Sequence, residues 1–311
     1  MDLGIVIVSY NTRELTRNCL DSVFSALREE HLSARVCVID NASSDGSPEM
    51  IRDAFPHAEL TASRDNLGFA RGTNLGLKSL QSSTDTPQHY LLLNPDTLVR
   101  RGALTEMKAC LDGNPSVGAV GAQLFYGDGS FQHGAFYLPT LAMTLFDFWT
   151  INHRLINSRL NGRYPARLYA AGEPFPIGHP LGAALMMRGQ ALSSVGPLDE
   201  DYFMYCEEID WCIRARESGW KIYCAPRAEI VHFAGQSTAQ FRDEMFVALW
   251  RSRFRLFGKH YSRTYNAAVR ALVRAGLARR ARQVRRDLAE HRLSAEEAER
   301  QLAAFRQVLE M

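Results

Sequence analysis

Three carboxylates fall within four positions, Glu207, Glu208 and Asp210, inside the stretch FMYCEEIDWCIRAR. The stretch mixes aromatic and apolar residues and does not read as an ordinary solvated face. Acids crowded beside apolar groups repel one another and lose solvation, which raises at least one pKa. The chemistry that suits such a group is general-base catalysis. A purely structural account competes: Glu207 and Glu208 would occupy the first turn of a helix, where acids interact favourably with the helix dipole. That accounts for one or two acids but not for the aromatic approach Tyr202-Phe203-Met204-Tyr205. Two more residues stand out. Asp96 follows the run Leu91-Leu92-Leu93-Asn94-Pro95, and a carboxylate at the end of a buried strand can hold a divalent cation that binds phosphate oxygens. Asn, Pro and Asp are also turn formers. His232 reads either as a half-buried strand residue or, with Asp96 as partner, as a metal ligand.

The elements that must position these residues follow from hydrophobic periodicity. Ile5–Val8 reads as a short β-branched strand, and Asn11 or Thr12 can cap a helix whose Leu15, Cys19, Leu20, Val23, Phe24 and Leu27 share one face. Val36–Ile39 is a second strand ending at Asp40. NASSDGSP is a loop, with Ser47 as N-cap and Pro48 at the first helical position. A third strand is expected near Ala58–Ala62, a helix from the Asn66–Gly68 turn towards Leu80, and a buried strand over Tyr90–Leu93. Pro180–Arg188 is a further apolar segment. Glu207–Ser218 fits a helix stopped by Gly219, Trp220–Ala225 and Glu229–Phe233 read as two strands, and the chain is mostly helical from Arg242. Strands separated by helices imply an α/β fold with a parallel sheet and right-handed crossovers. Ligands bind such sheets beyond the carboxyl ends of the strands, where the Ser9-Tyr10-Asn11 loop, Asp40 and Asp96 are placed. Asp40 could accept from a ribose or base, or bond its own loop. Asn66, Gly68 and Arg71 sit where a helix begins, and backbone amides and an Arg there suit phosphate. Neither GxGxxG nor GxxxxGK[ST] occurs, which argues against dinucleotide and P-loop sites.

Composition bounds the rest. Of 311 residues, 46% are hydrophobic and 23% charged, enough for a large core and against dominant disorder. The six cysteines show no CxxC or Cys/His zinc spacing and read as reduced thiols of a cytosolic protein. The start MDLGIVIVSYNT reads as a strand rather than a signal peptide, and no apolar run reaches membrane-spanning length. The net charge of +2 conceals an asymmetry: residues 242–311 hold 16 Lys and Arg against 8 Asp and Glu, and Arg251–Arg286 contains no acid. Such a segment suits a polyanionic surface. Its Phe254, Leu256, Phe257, Tyr261, Leu272, Val273 and Leu277 interleave with arginines as in interfacial helices, or belong to helices packed on a domain with a charged outer side.

Five stretches together, SYNTRELTRNCLDSV, VIDNASSDGS, NLGFARGTNLGL, LLLNPDT and GPLDEDYFMYCEEIDWCIRARESGWKIYCAPRAEIVHFAGQST, resemble family 2 glycosyltransferases in content, order and spacing. They resemble in particular the bacterial rhamnosyltransferase and cell-wall glycan branch, over roughly residues 3–240. The resemblance implies the GT-A fold, a single Rossmann-like mixed sheet flanked by helices, with a C-terminal helical extension. It implies a glycosyltransferase domain over 1–240, its nucleotide-sugar part at 1–125 and its acceptor and catalytic part at 126–240, followed by a basic helical extension at 241–311. It implies inverting transfer from a nucleoside diphosphate sugar, dTDP-rhamnose being the first expectation, to a glycan or lipid-linked acceptor.

By the same resemblance, Ser9, Tyr10, Asn11 and Asp40 hold the nucleoside, and Asn66, Gly68 and Arg71 lie near ribose and diphosphate. The family's Asp-x-Asp metal motif stands here as Asn94-Pro95-Asp96, leaving Asp96 and then His232 as ligands for Mg²⁺ or Mn²⁺. The base position, the second residue of a Glu-Asp pair, is Glu208, with Glu207 and Asp210 as alternatives. A cytoplasmic enzyme touching an anionic membrane through residues 251–286 is expected, with no nucleic-acid partner. Two other classes compete: a catalytically silent sugar-nucleotide binder, suggested by the missing first metal acid, and a nucleic-acid binder through the basic segment. The second lacks RNP-like or zinc-finger motifs.

Overall fold

The computed structural model describes residues 1–82, 84–149, 152–233 and 242–311. The segment 234–241 lies outside them, and with it the AGQST end of the last motif and the expected boundary at 240. The first half alternates β1 (Leu3–Ser9), α1 (Arg13–Glu29), β2 (Ala34–Asp40), α2 (Ser47–Ala54), β3 (Glu59–Ala62), α3 (Gly68–Gln81), β4 (His89–Leu93), β5 (Thr97–Val99) and α4 (Ala103–Asp112). Then come β6 (Val117–Phe125), β7 (Phe131–Gln132), β8 (Ala135–Phe136), α5 (Leu141–Phe148), α6 (His153–Ile156), α7 (Ala166–Ala170), β9 (Phe175–Pro176), β10 (His179–Pro180), β11 (Ala184–Arg188) and α8 (Gly189–Val195). The chain closes with α9 (Glu207–Glu217), β12 (Lys221–His232), α10 (Arg242–His260), α11 (Arg263–Ala289) and α12 (Ala295–Glu310).

Two compact units emerge. The first comprises residues 1–137, 164–203 and 207–237. Its main sheet runs β3-β2-β1-β4-β11-β6-β12-β5, with β7 on β6 and β9 on β12. The pairs β1–β2, β1–β4 and β2–β3 are parallel, as the strand-helix alternation predicts. β11 runs antiparallel to both β4 and β6, so the sheet is mixed. Near-continuous apolar runs in β1, β2 and β4 are buried on both faces, as strands covered by helices must be. Leu3, Ile5, Ile7, Val36, Val38, Leu91 and Leu93 form the core with Cys19, Leu20 and Val23 of α1. No disulfide joins the six cysteines, all of which are buried.

Two local expectations shift. The N-cap of α2 is Gly46 at φ 81°, not Ser47, because Asp45 accepts from both the amide and the hydroxyl of Ser47. Trp220–Ala225 and Glu229–Phe233 are not two strands: β12 is continuous, with a register irregularity against β6 between Ala225 and Glu229. Pro226 lies in that interval and cannot donate a ladder hydrogen bond, which is where strands bulge rather than end.

The second unit holds residues 138–163, 204–206 and 238–311. The basic helices therefore do not stand alone. Arg253 pairs with Asp147, Arg279 and Arg280 donate to the carbonyls of Phe148 and Asp147, and Trp250 stacks on Phe148. Leu256, Phe257, Val273 and Leu277 of this unit are buried. These four side chains follow the alternative of helices packed on a domain, while Phe254, Tyr261 and Leu272 are half-buried; the outward residues of α11 include Arg263, Arg274, Arg282 and Arg285. Among the described residues no helix is long and apolar enough to cross a membrane.

Candidate active site

Register brings the strand ends together. Ser9 lies opposite Asp40, and Ile7 opposite Leu93, so the β1 and β2 ends and the Asn94-Pro95-Asp96 turn share one edge of the sheet. Ser9 is buried, and its hydroxyl closes a triangle with Thr12 (3.1 Å) and Thr16 (2.9 Å). Asn11, at φ 50°, receives the Ser44 amide on Oδ1 and gives its own amide to Ser43, stitching the first loop to the second. Tyr10 between them is half-buried. Asp40 is almost fully buried: Oδ2 accepts from the Ser43 amide at 2.9 Å, while Oδ1 has no hydrogen-bond partner among the described residues. A buried oxygen of this kind is costly unless something donates to it.

The start of α3 is built for packing. Asn66 Oδ1 accepts from the Gly68 amide and the Phe203 carbonyl from the Phe69 amide, so two of the amides expected to face phosphate are committed within the protein. Gly68 has φ +77°, and a Cβ there would collide with the Phe203 carbonyl oxygen. Further along α3, Asn74 donates to Leu198 O and Glu200 and accepts from the Leu198 amide, fixing the approach to the carboxylate cluster. Sequence reasoning missed Asn74; its signal was a weak helix former in mid-helix. Arg71 is more than half exposed, 3.9 Å from Glu200. It lines a groove of about 1590 Å³ with Lys78 and Arg188, and the residues lining it include none of Ser9, Asp40, Asp96, Glu208 or His232.

The three carboxylates separate by surroundings. Asp210 is fully buried and bonds Arg214 Nε at 2.8 Å, while that guanidinium also donates to the carbonyls of Val195 and Pro197. Asp210 thus anchors its helix. Glu207 is 4% exposed, and its Oε2 has no hydrogen-bond partner among the described residues. Burial, and then the charge of Glu208, push the Glu207 carboxyl well above the usual range, which favours its neutral form. Two buried neighbouring carboxylates repel each other's charge, so they ionise together only at a cost. Glu208 lies against Gly182, where an added Cβ would be 3.4 Å from Glu208 Cδ. The next carbonyl, Ala183, accepts from the Asn94 amide, which links Glu208 to the Asp96 turn through the β4–β11 pair. Tyr205 and Cys206 precede this helix at φ 71° and 68°, a left-handed conformation that costs non-glycine residues roughly 1–3 kcal/mol each and clusters at functional sites.

The raised Glu207 pKa bears on stability. It favours folding fully below the ordinary carboxylate range, and that contribution is lost as pH rises, because the unfolded chain ionises first. Glu207→Gln should therefore gain on the wild type by about 1.4 kcal/mol for each pH unit over which Glu207 alone stays protonated. Thermal unfolding of both proteins at pH 4.5 and pH 8 measures this; a stability gap equal at the two values would show that Glu207 is not held neutral.

Asp96 is buried in the β4–β5 turn, and its carbonyl accepts the Phe233 amide. Thr97 lies opposite His232 in the β5–β12 pair. This sets Asp96 Oδ1 3.5 Å from His232 Nε2. Burial lowers the His232 pKa against the opposing pull of Asp96, so the ring is neutral. On its other side, His232 Nδ1 lies 3.1 Å from Oε1 of buried Gln132. Carboxylate and imidazole are the donor types that bind divalent cations, and a 3.5 Å separation is compatible with two ligands each roughly 2.1 Å from one ion. The residues present fit a divalent cation. Among the described residues no cluster of three or more His, Cys, Asp or Glu surrounds this point, so further ligands would be a bound diphosphate or water.

The family model "Glycosyl transferase family 2" matches residues 4–182. The chain belongs to that family. It is a glycosyltransferase. It is 27% identical over 289 residues to the N-acetylglucosaminyl-diphospho-decaprenol L-rhamnosyltransferase of Mycobacterium tuberculosis (strain H37Rv), covering 89% of this chain and 91% of that one. It is 22% identical over 237 residues to the dTDP-rhamnosyl transferase RfbF of Shigella flexneri, covering 76% and 70%. Among solved structures it is similar to the mannosyltransferase PcManGT of Pyrobaculum calidifontis in complex with GDP-Man and Mn²⁺. The TM-score is 0.55 at 15% identity, over 98% of this chain and 85% of the other. That likeness shows the shared GT-A fold.

Proposed function

We propose that this glycosyltransferase inverts the anomeric centre of a nucleoside diphosphate sugar, with Glu208 as the general base. The carrying observation is the buried pair itself: burial and the neighbouring charge favour the neutral form of Glu207, and Glu208 lies beside the Gly182–Ala183 backbone that holds the Asn94 turn, which supports Glu208 as the member that takes the proton. The acceptor hydroxyl gives its proton to Glu208, its oxygen bonds to C1, and the C1–oxygen bond to the diphosphate breaks. Asp96 and His232 would hold Mg²⁺ or Mn²⁺, which supplies positive charge against the leaving diphosphate. The buried Oδ1 of Asp40, without a hydrogen-bond partner among the described residues, supports a donor from the nucleoside. The relatives' names support dTDP-rhamnose as donor and a lipid-linked sugar as acceptor; a role in making a bacterial surface glycan rests on the resemblance alone.

A cytoplasmic enzyme working on such an acceptor gains from resting on an anionic bilayer. The arginine face of α11 suits this by charge alone, each residue contributing about 1 kcal/mol near such a surface. Two measurements test the two parts: turnover of dTDP-rhamnose, UDP-GlcNAc and GDP-mannose with Mn²⁺ or with EDTA, and co-sedimentation with anionic or neutral vesicles. Mn²⁺-dependent turnover of dTDP-rhamnose and salt-sensitive sedimentation with anionic vesicles are expected. No turnover of any donor would favour a catalytically silent binder, and equal sedimentation with neutral vesicles would remove the arginine face.

A further inference from the structure

We infer that Gln132 is a positioning residue that holds His232 as its Nδ1–H tautomer and so turns the Nε2 lone pair towards the cation site shared with Asp96. The role rests on the cation reading above. Gln132 belongs to β7, a two-residue strand after the Gly127-Asp128-Gly129-Ser130 turn, and pairs with Leu124 of β6. Leu124 in turn pairs with Ile230 of β12, two residues before His232. Strand side chains alternate in direction, so Ile230 and His232 share a face, and the long Gln132 amide spans the step along the strands.

A neutral imidazole has one donor nitrogen and one acceptor nitrogen, and the partner of one decides the role of the other. Oε1 of Gln132 only accepts, so at 3.1 Å it requires the hydrogen on Nδ1. Nε2 is then a lone pair directed to the Asp96 carboxylate at 3.5 Å, too far for an ordinary hydrogen bond. Both contacts are buried, so water is poorly placed to substitute for the amide. The opposite amide orientation, with the Gln132 NH₂ donating to Nδ1, would place the hydrogen on Nε2 and close the site to a cation.

Long-range ¹H–¹⁵N NMR of the metal-free protein reads the tautomer, the His232 signals being assigned by their loss in His232→Gln. The wild type is expected to show protonated Nδ1 and bare Nε2. Gln132→Met, similar in length but lacking the oxygen, should lose that preference and bind Mn²⁺ alone about 10–100-fold more weakly in an EPR titration. Gln132→Glu keeps an accepting oxygen and should retain both tautomer and Mn²⁺ affinity, which a merely structural role would not predict. A wild-type ring protonated on Nε2 would overturn the inference, as would Gln132→Met binding Mn²⁺ like the wild type. Failure of the wild type to bind Mn²⁺ would overturn the cation site itself, and this role with it, a result distinct from a difference between variants.

Discussion

Glu208→Gln should lower kcat by roughly 10²–10⁴-fold, the usual contribution of a positioned general base, while the donor dissociation constant changes little. The amide keeps the size and packing of the side chain against Gly182 but cannot take the acceptor's proton. Donor affinity is spared because the base acts on the acceptor hydroxyl, opposite the leaving diphosphate. Asp210 cannot stand in, since its carboxylate is committed to Arg214 at 2.8 Å. Glu207 lies next to the substitution, but burial opposes its ionisation. Single-turnover transfer beside donor titration by calorimetry separates the two effects. Near-normal kcat in the Gln variant would end the assignment of Glu208; a large loss of donor affinity with kcat preserved would move it to donor binding.

Asp96→Ala is expected to produce the second large loss. Without its carboxylate, His232 remains as one neutral ligand of the proposed pair. The charge developing on the diphosphate is then opposed by several kcal/mol less stabilisation, a fall of at least about two orders of magnitude in kcat/KM. The carbonyl of this residue, which accepts the Phe233 amide, is kept in Ala, and a thermal unfolding curve checks that the variant folds. Donor affinity measured with Mn²⁺ and with EDTA is the direct check. The wild type should bind more tightly with Mn²⁺, and the variant should be indifferent. A variant that still responds to Mn²⁺ would remove Asp96 from the cation site.

How legible these sites were differs by residue. Strand ends were readable because buried parallel strands are continuous apolar runs, so β1, β2 and β4 stop where the polar residues Ser9, Asp40 and Asn94 begin or follow. The carboxylate cluster was equally visible, but its three acids looked interchangeable. Their roles depend on partners far along the chain: Val195 and Pro197 for the Arg214 that holds Asp210, and Gly182 for Glu208. The Asn66–Gly68 turn was recognised as a helix start, yet its first amides serve Asn66 and Phe203, a contact that no local pattern encodes. Gln132 was passed over because a polar residue in a short hairpin strand is ordinary until the residue across from it is known.

By itself, then, the sequence determined the alternating α/β order, the family-bearing motifs and the list of chemically able residues, because these depend on periodicity and short-range spacing. Only the tertiary structure decided that β12 is one strand reaching from Lys221 to His232 and that the arginine helices bury their apolar sides with residues 138–163. It alone set Asp210 apart as the anchor held by Arg214 and gave Glu207 and Glu208 different surroundings. Protonation and tautomer are set by burial and by partners across the sheet, and those distances exist only once the chain has folded.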